Sequence, residues 1–332
     1  MDALGTTKPD KLAMLHISED MTERRITFQD VKKESARAAN YFKALGIRKG
    51  DRVTICMPNS PQALHCFYGL NRIGAIPNMI HPLSAAKEIA FYLNFSRSKA
   101  ILTLDQFYDK VAQILPELEN PCQILIAKVQ DELPFPLSAL YPLTKSARSV
   151  KKLPKSGYTL WYDMVAAGKN TQLPPDDGKF DDCGAILYSG GTTGTTKGIM
   201  LSNLNFNALG LQTIAASGFG SVAGMKMLSI MPVFHGFGLG VCIHTMLSQG
   251  GRCVLVPRFT PKSYAKDLVK HRCSFVAGVP TLYEALLRLD TMNGADLSFL
   301  KGVFSGGDSL SVELKKKLDQ FLRDHKAPIQ VR

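Results

Sequence analysis

The sequence predicts an α/β fold of two subdomains, each a mostly parallel sheet flanked by helices. Three observations carry that expectation. Short apolar runs such as RVTICM, AILTL and SFVAGVP alternate with stretches of helical periodicity, as βαβ units require. Ser60-Pro61 and Thr260-Pro261 each join a capping hydroxyl to a proline at the first helical position, a strong helix start. The 332 residues, 45% apolar and 20% charged, are enough for two cores of ordinary globular composition.

Taken in order, Thr27 is placed to cap a helix whose apolar stripe holds Val31, Ala39 and Phe42. That helix runs to GIRKGD, where Gly50-Asp51 marks a turn. RVTICM is read as a buried strand, and Ala63, Leu64, Phe67 and Leu70 as the buried face of the helix that Ser60 starts. IPNMI, AILTL and CQILIAKV are further strands, with a helix from about Ser84 to Leu93. The second half resumes with the strand GAILYSG and a helix from about Asn203. There follow the strand MKMLSIMPV, a helix across 238–248, the strand RCVLVPRF and the helix opened by Thr260-Pro261. SFVAGVP, a helix from Thr281, the strand VFSGG, a helix from about Ser311 and the start of another strand at PIQVR complete the reading.

The alternation breaks between Asp131 and Asp182, where Pro134, Pro136, Pro142, Pro154, Pro174 and Pro175 interrupt it. WYDMV inside this stretch is expected to dock as a short element. The expected division is therefore residues 1–175, with an irregular Pro/Lys-rich connection at 131–175, and residues 176–332.

Forty Lys and Arg against 28 Asp and Glu give a formal charge of +12, which favours anionic partners. The densest basic cluster, Lys145, Arg148, Lys151, Lys152 and Lys155, has no interleaved aromatic residues on which bases could stack, so no nucleic-acid partner is expected. Peripheral association with an anionic membrane is compatible with the same charge. No run approaches the roughly 18 apolar residues of a membrane-spanning helix, and the N-terminus lacks the apolar core of a secretory signal. The seven cysteines are odd in number and contain no CxxC pair; most sit in apolar runs, as reduced buried thiols of a cytoplasmic protein would.

The most specific chemical signal is the loop Tyr188-Ser189-Gly190-Gly191-Thr192-Thr193-Gly194-Thr195-Thr196-Lys197-Gly198. Its glycines bring bare backbone amides close to an anion, its hydroxyls add donors, and Lys197 adds a full positive charge. It is not the P-loop of nucleotide triphosphatases. Lys197 follows Thr196 and precedes Gly198, so the required Gly-Lys-Ser/Thr spacing fails. His235, set in Phe234-His235-Gly236-Phe237-Gly238, taken alone reads as a turn histidine with a satisfied hydrogen bond, and His244 lies in an apolar helical stretch and reads as structural.

These blocks, with ITFQDV, the stretch GIRKGD to IHPL, GVPTLYEALL and FSGGDSLS, resemble in order the adenylate-forming superfamily of acyl-CoA synthetases, luciferases and peptide-synthetase adenylation domains. The wording is most similar to fatty-acid–CoA ligases. The resemblance implies the large N-terminal domain of such enzymes. It also implies a reaction in which a carboxylate attacks the α-phosphate of ATP, releasing pyrophosphate, before coenzyme A displaces AMP. By resemblance Ser189, Gly190, Gly191, Thr192, Thr193, Gly194 and Lys197 hold the ATP phosphates, and Ser189 assists Mg2+. His235 stands beside the carboxylate as the catalytic residue. His235, Gly236, Gly278, Pro280 and Thr281 line the acyl substrate, and Gly306, Gly307, Asp308 and Ser309 meet adenine.

The chain departs from the family pattern at Gly190, where serine is usual, at Thr196, where proline is usual, and at Asp308-Ser309, where Ala-Pro is frequent. The family's aromatic Thr-Glu loop, its ribose-binding aspartate and its C-terminal domain with the adenylation lysine are not found through Arg332. The expectation is thus a fragment of an ATP-dependent carboxylate–CoA ligase for a fatty or other hydrophobic acid, weakly active or inactive alone. The alternative is a non-catalytic binding or scaffold relative that kept the fold.

Overall fold

In a computed structural model of the chain, residues 2–17, 23–144, 147–148, 150–168, 174, 178–189 and 196–332 are described. The strands are β1 Leu12–Ile17, β2 Glu23–Thr27, β3 Arg52–Cys56, β4 Ile76–Met79, β5 Ala100–Leu104, β6 Gln123–Ala127 and β7 Thr159–Leu160. They continue with β8 Cys183–Ser189, β9 Lys197–Ser202, β10 Lys226–Ser229, β11 Arg252–Leu255, β12 Phe275–Gly278 and β13 Gly302–Ser305. They form two sheets, ordered β13-β12-β10-β11-β1-β2 and β7-β6-β5-β3-β4-β8-β9. Every neighbouring pair is parallel except the β1–β2 and β8–β9 hairpins, so the α/β expectation holds.

Local chemistry places the helices where the sequence indicates. Thr27 Oγ1 accepts from the Asp30 N–H at 3.1 Å and opens the helix Phe28–Ala44, which buries Val31, Ala39 and Phe42. Ser60 caps Pro61–Arg72, Ser202 caps Asn203–Ser217, Thr260 caps Pro261–His271 and Ser311 caps Val312–Asp324. The helix expected from Ser84 runs from Ala86 to Ser96. Trp161–Ala167 is the short docked helix, with Trp161 and Met164 buried.

Three apolar clusters order the layers. The largest joins inner residues of both sheets, such as Met14, Met227 and Cys253 with Val53, Ile55 and Leu102, to the helices Phe28–Ala44 and Pro61–Arg72. A second seats Pro261–His271, Pro280–Leu287 and Val312–Asp324 on the outer face of the six-stranded sheet. The third seats Ala86–Ser96 on the outer face of the seven-stranded one. The result is five layers: helices, sheet, helices, sheet, helices.

Each sheet takes strands from both sides of residue 175: β1 and β2 join the sheet of the second half, and β8 and β9 join that of the first. A cut there divides the chain but not the sheets. Val331 bridges to Val303 in parallel, and the Arg332 N–H donates to the Val303 carbonyl at 3.0 Å, as a strand beginning at PIQVR requires.

Candidate active site

The strand β8 carries the glycine-rich loop on its C-terminal end. Ser189, its last residue, pairs across the hairpin with Lys197, the first residue of β9, and both are exposed. Gly190, Gly191, Thr192, Thr193 and Gly194, expected to hold the phosphates, lie outside the described residues. A polar network ties the stem below the loop. The Tyr188 hydroxyl donates to Asn78 Oδ1 at 2.8 Å. Asn78 Nδ2 donates to Thr54 Oγ1 at 2.8 Å and to Ser96 Oγ at 3.2 Å. The Ser98 hydroxyl lies 2.7 Å from both Thr54 Oγ1 and Ser96 Oγ. Asn78 and Thr54 are fully buried, so the network replaces the water these groups give up. Tyr92 lies 4.3 Å from Tyr188, ring centre to ring centre, and shares a side-chain hydrogen bond with Thr196. Burial pushes the Tyr188 phenol up to about 12, so it stays a neutral donor.

His235 follows β10 in the other sheet and is exposed. Its backbone N–H donates to the Pro232 carbonyl at 3.0 Å, and its carbonyl accepts from Leu239 N–H at 2.8 Å. The Phe237 N–H donates to His235 Nδ1 at 3.3 Å. That assigns the proton of the neutral ring to Nε2, a donor available to an anion. The backbone folds tightly here: a Cβ on Gly238 would lie 2.1 Å from the Pro232 carbonyl oxygen and 2.6 Å from that of Met231. The helix that follows, Phe237–His244, is wound as a π-helix, a form that recurs at functional sites. His244 is buried, with Nδ1 3.3 Å from the Tyr68 hydroxyl, in keeping with a structural role.

Contacts bring the separate segments together. Gly236 lies against Leu187, whose Cδ1 would be 3.5 Å from a Cβ at that glycine, so the His235 segment touches β8 two residues before Ser189. The Phe237 ring packs on Gly306, where a Cβ would come within 3.0 Å of the ring. Gly306 N–H donates to the Gly278 carbonyl at 3.1 Å, joining the ends of β13 and β12. Gly307, at φ +81°, turns the chain outward, leaving Asp308 and Ser309 exposed, with the Ser309 N–H bonded to Asp308 Oδ1 at 2.7 Å. Gly278 and Pro280 are buried and Thr281 is exposed. The ends of β8, β10, β12 and β13 thus converge on one side of the molecule.

A cavity of about 770 Å³, within the usual range of small-molecule sites, opens between the sheets beside Phe234. Its walls follow the C-terminal ends of β3, β4, β5, β6, β10 and β11, where open α/β sheets bind ligands. Leu83, Phe107, Phe234 and Phe259 supply apolar surface; Asn59, His81 and Arg258 are polar. The His81 ring lies 4.5 Å from that of Phe234, and burial pushes its imidazole below the ordinary value. None of Gly278, Pro280 or Thr281 lines this cavity. The sequence reading missed its lining and also missed Asn78. The available signal was a lone asparagine inside an apolar strand, IPNMI.

Among the described residues no group of three His, Cys, Asp or Glu could hold a metal.

The chain is similar to a long-chain-fatty-acid–CoA ligase of Bacillus subtilis, 32% identical over 316 residues, covering 94% of this chain and 55% of that protein. Among solved structures, an anthranilate CoA ligase in complex with anthranoyl-AMP superposes with a TM-score of 0.81 at 22% identity, covering 99% of this chain and 58% of that one. A long-chain-fatty-acid–CoA ligase from Archaeoglobus fulgidus gives 0.79 at 21% identity, covering 98% and 61%. The chain spans about half the length of the curated relatives it matches. Residues 2–331 match the description "AMP-binding enzyme", and the chain belongs to that family.

Proposed function

We propose that this chain forms the nucleotide- and acid-binding part of an ATP-dependent acid–CoA ligase for a fatty or other hydrophobic acid. The observation that carries the reading is the convergence of four strand ends. Leu187 meets Gly236, Phe237 covers Gly306, and Gly306 bonds Gly278, which puts Ser189 and His235 at neighbouring strand ends.

In this reading the loop amides and hydroxyls from Ser189 to Thr196, with Lys197, hold the β- and γ-phosphates of ATP, and Mg2+ neutralises them when bound. The carboxylate oxygen attacks the α-phosphorus as the bond to pyrophosphate breaks. Joining two anions makes charge neutralisation and positioning the main demands on the protein. His235 Nε2–H donates to the carboxylate or to the α-phosphate and moves no proton of its own. Adenine rests on the small residues Gly306 and Gly307, beside Asp308 and Ser309. Coenzyme A sulfur then attacks the acyl carbon and AMP leaves.

Seven free thiols, five of them buried, support a reducing, cytoplasmic setting. No helix among the described residues is long and apolar enough to cross a membrane. Peripheral contact with an anionic bilayer is part of the same reading, supported by exposed Phe135, Leu140 and Leu143 close in sequence to exposed Lys152 and Lys155. Co-sedimentation with phosphatidylserine vesicles, lost on F135S/L143S, tests that contact; equal sedimentation of the variant removes it.

The function is tested by acid-dependent release of pyrophosphate from ATP, assayed over aliphatic, aryl and steroidal acids with this chain and with this chain joined to the C-terminal domain of a relative. Release with an aliphatic acid supports the ligase. No release from either protein favours the binding or scaffold relative, a reading motivated by Gly190 and Asp308-Ser309.

A further inference from the structure

The two halves of the candidate site belong to different sheets. Ser189 and Lys197 sit on the seven-stranded sheet, and His235 follows β10 of the six-stranded one. Their separation is therefore set by whatever locks one sheet to the other near their C-terminal ends. Apolar packing between the sheets gives cohesion but little directional information; hydrogen bonds fix register.

We propose that Asn59 is the positioning residue of the His235 arm. It lies in the loop after β3, in the sheet that carries the phosphate loop, and is 3% exposed. Its carboxamide reaches across to the segment that leads from β10 to His235. Nδ2 donates to the Ser229 carbonyl at 3.2 Å and to the Met231 carbonyl at 3.0 Å. Oδ1 accepts from the Val233 N–H at 2.7 Å. One side chain thus fixes three alternate residues of the arm. Pro232, between two of them, supplies the carbonyl that accepts the His235 N–H.

The chemistry admits few other residues. Both bonded carbonyls need donors and the amide needs an acceptor, a set that neither aspartate, an acceptor only when ionised, nor serine, with a single O–H donor, can supply. Asn59 is itself immobilised, because Ser60 beside it caps the helix Pro61–Arg72, its Oγ accepting from Ala63 N–H at 3.3 Å. Asn59 also lines the cavity beside Phe234, so it links cavity wall, arm and opposite sheet.

This inference rests on the proposed function only for what His235 does, not for where it is held. Its test is histidine imidazole NMR on the 332-residue chain, with the His235 resonance assigned by its loss in H235Q. Asn59→Ala is the first variant and Asn59→Ser the milder second, used if the first does not fold. The expected result is a His235 Cε1–H signal displaced or broadened in the folded variant, with the distant His325 signal unchanged. A folded variant whose His235 signal matches the parent overturns the proposal. An acyl-sulfamoyl-adenosine analogue is expected to bind about tenfold more weakly to the Asn59 variant, with little further loss when H235A is added. Full additivity of the two losses contradicts positioning through His235.

Discussion

Asn78→Leu removes the centre of the polar network under the phosphate loop while nearly keeping side-chain volume. Three hydrogen bonds disappear: one accepted from the Tyr188 hydroxyl and two donated to Thr54 and Ser96. Thr54 and Ser96 each keep the Ser98 hydroxyl, so their loss is partial. The Tyr188 hydroxyl loses its acceptor in a partly buried setting. Two weakened bonds and one stranded donor cost about 3 kcal/mol together. At ~2.1 cal/mol/K of unfolding entropy per residue, this shifts the melting temperature by roughly 4 °C for a chain of this length. Scanning calorimetry of parent, Asn78→Leu, Tyr188→Phe and the double variant reads it directly. The double variant is expected to lose less than the two singles together, because the shared bond is lost once. A shift below about 1 °C for Asn78→Leu, or full additivity, refutes the network as the support of the loop stem.

Other outcomes follow from the buried histidines and the tight backbone. Burial holds His16 and His244 down to about 4 and His65 to about 3, and neither ring nitrogen of His16 or His65 has a hydrogen-bond partner. Below pH 6.5 the unfolded chain takes up protons that the folded chain refuses, so stability falls as pH drops toward 4, by about 1.4 kcal/mol per pH unit for each histidine. His65→Phe, which keeps an aromatic ring beside Trp161, is expected to flatten urea-midpoint loss between pH 6.5 and 4.5; an unchanged slope contradicts this. Gly238→Ala drives a Cβ into the Pro232 carbonyl and is expected to cost about 3 kcal/mol, whereas Gly220→Ala enters open space and costs under about 0.5 kcal/mol. Equal urea midpoints for the two would show that the 231–238 turn is not as tight as described.

Much of the architecture was legible because most of its strands are buried apolar runs and five of its helices begin at a capping hydroxyl, two of them followed by proline. Two of the exceptions share a cause. β2 reads ERRIT and β9 reads KGIMLS; both are edge strands, mostly not buried, so neither shows the apolar run or clean alternation that marks a strand. β1, LAMLHI, is a buried apolar run like the strands that were read; what no local pattern gives is its pairing with β11, far along the chain. The same long range explains why residue 175 divides the sequence and not the sheets. In the site, Ser189 and Lys197 stood out by type and spacing, and His235 and Gly306 through the resemblance to a known family. Asn59 and Asn78 did not, because what they do depends on partners 170 and 110 residues away respectively, which no local pattern encodes.

The proposed function depends most on the loop after β8 holding the phosphates of a nucleotide. Isothermal titration of ATP–Mg2+ into the chain and into Lys197→Ala tests it most directly. The expected result is one saturable site in the parent, weakened at least about tenfold by loss of the ammonium group. Equal affinity in the two proteins, or no saturable site in the parent, contradicts it.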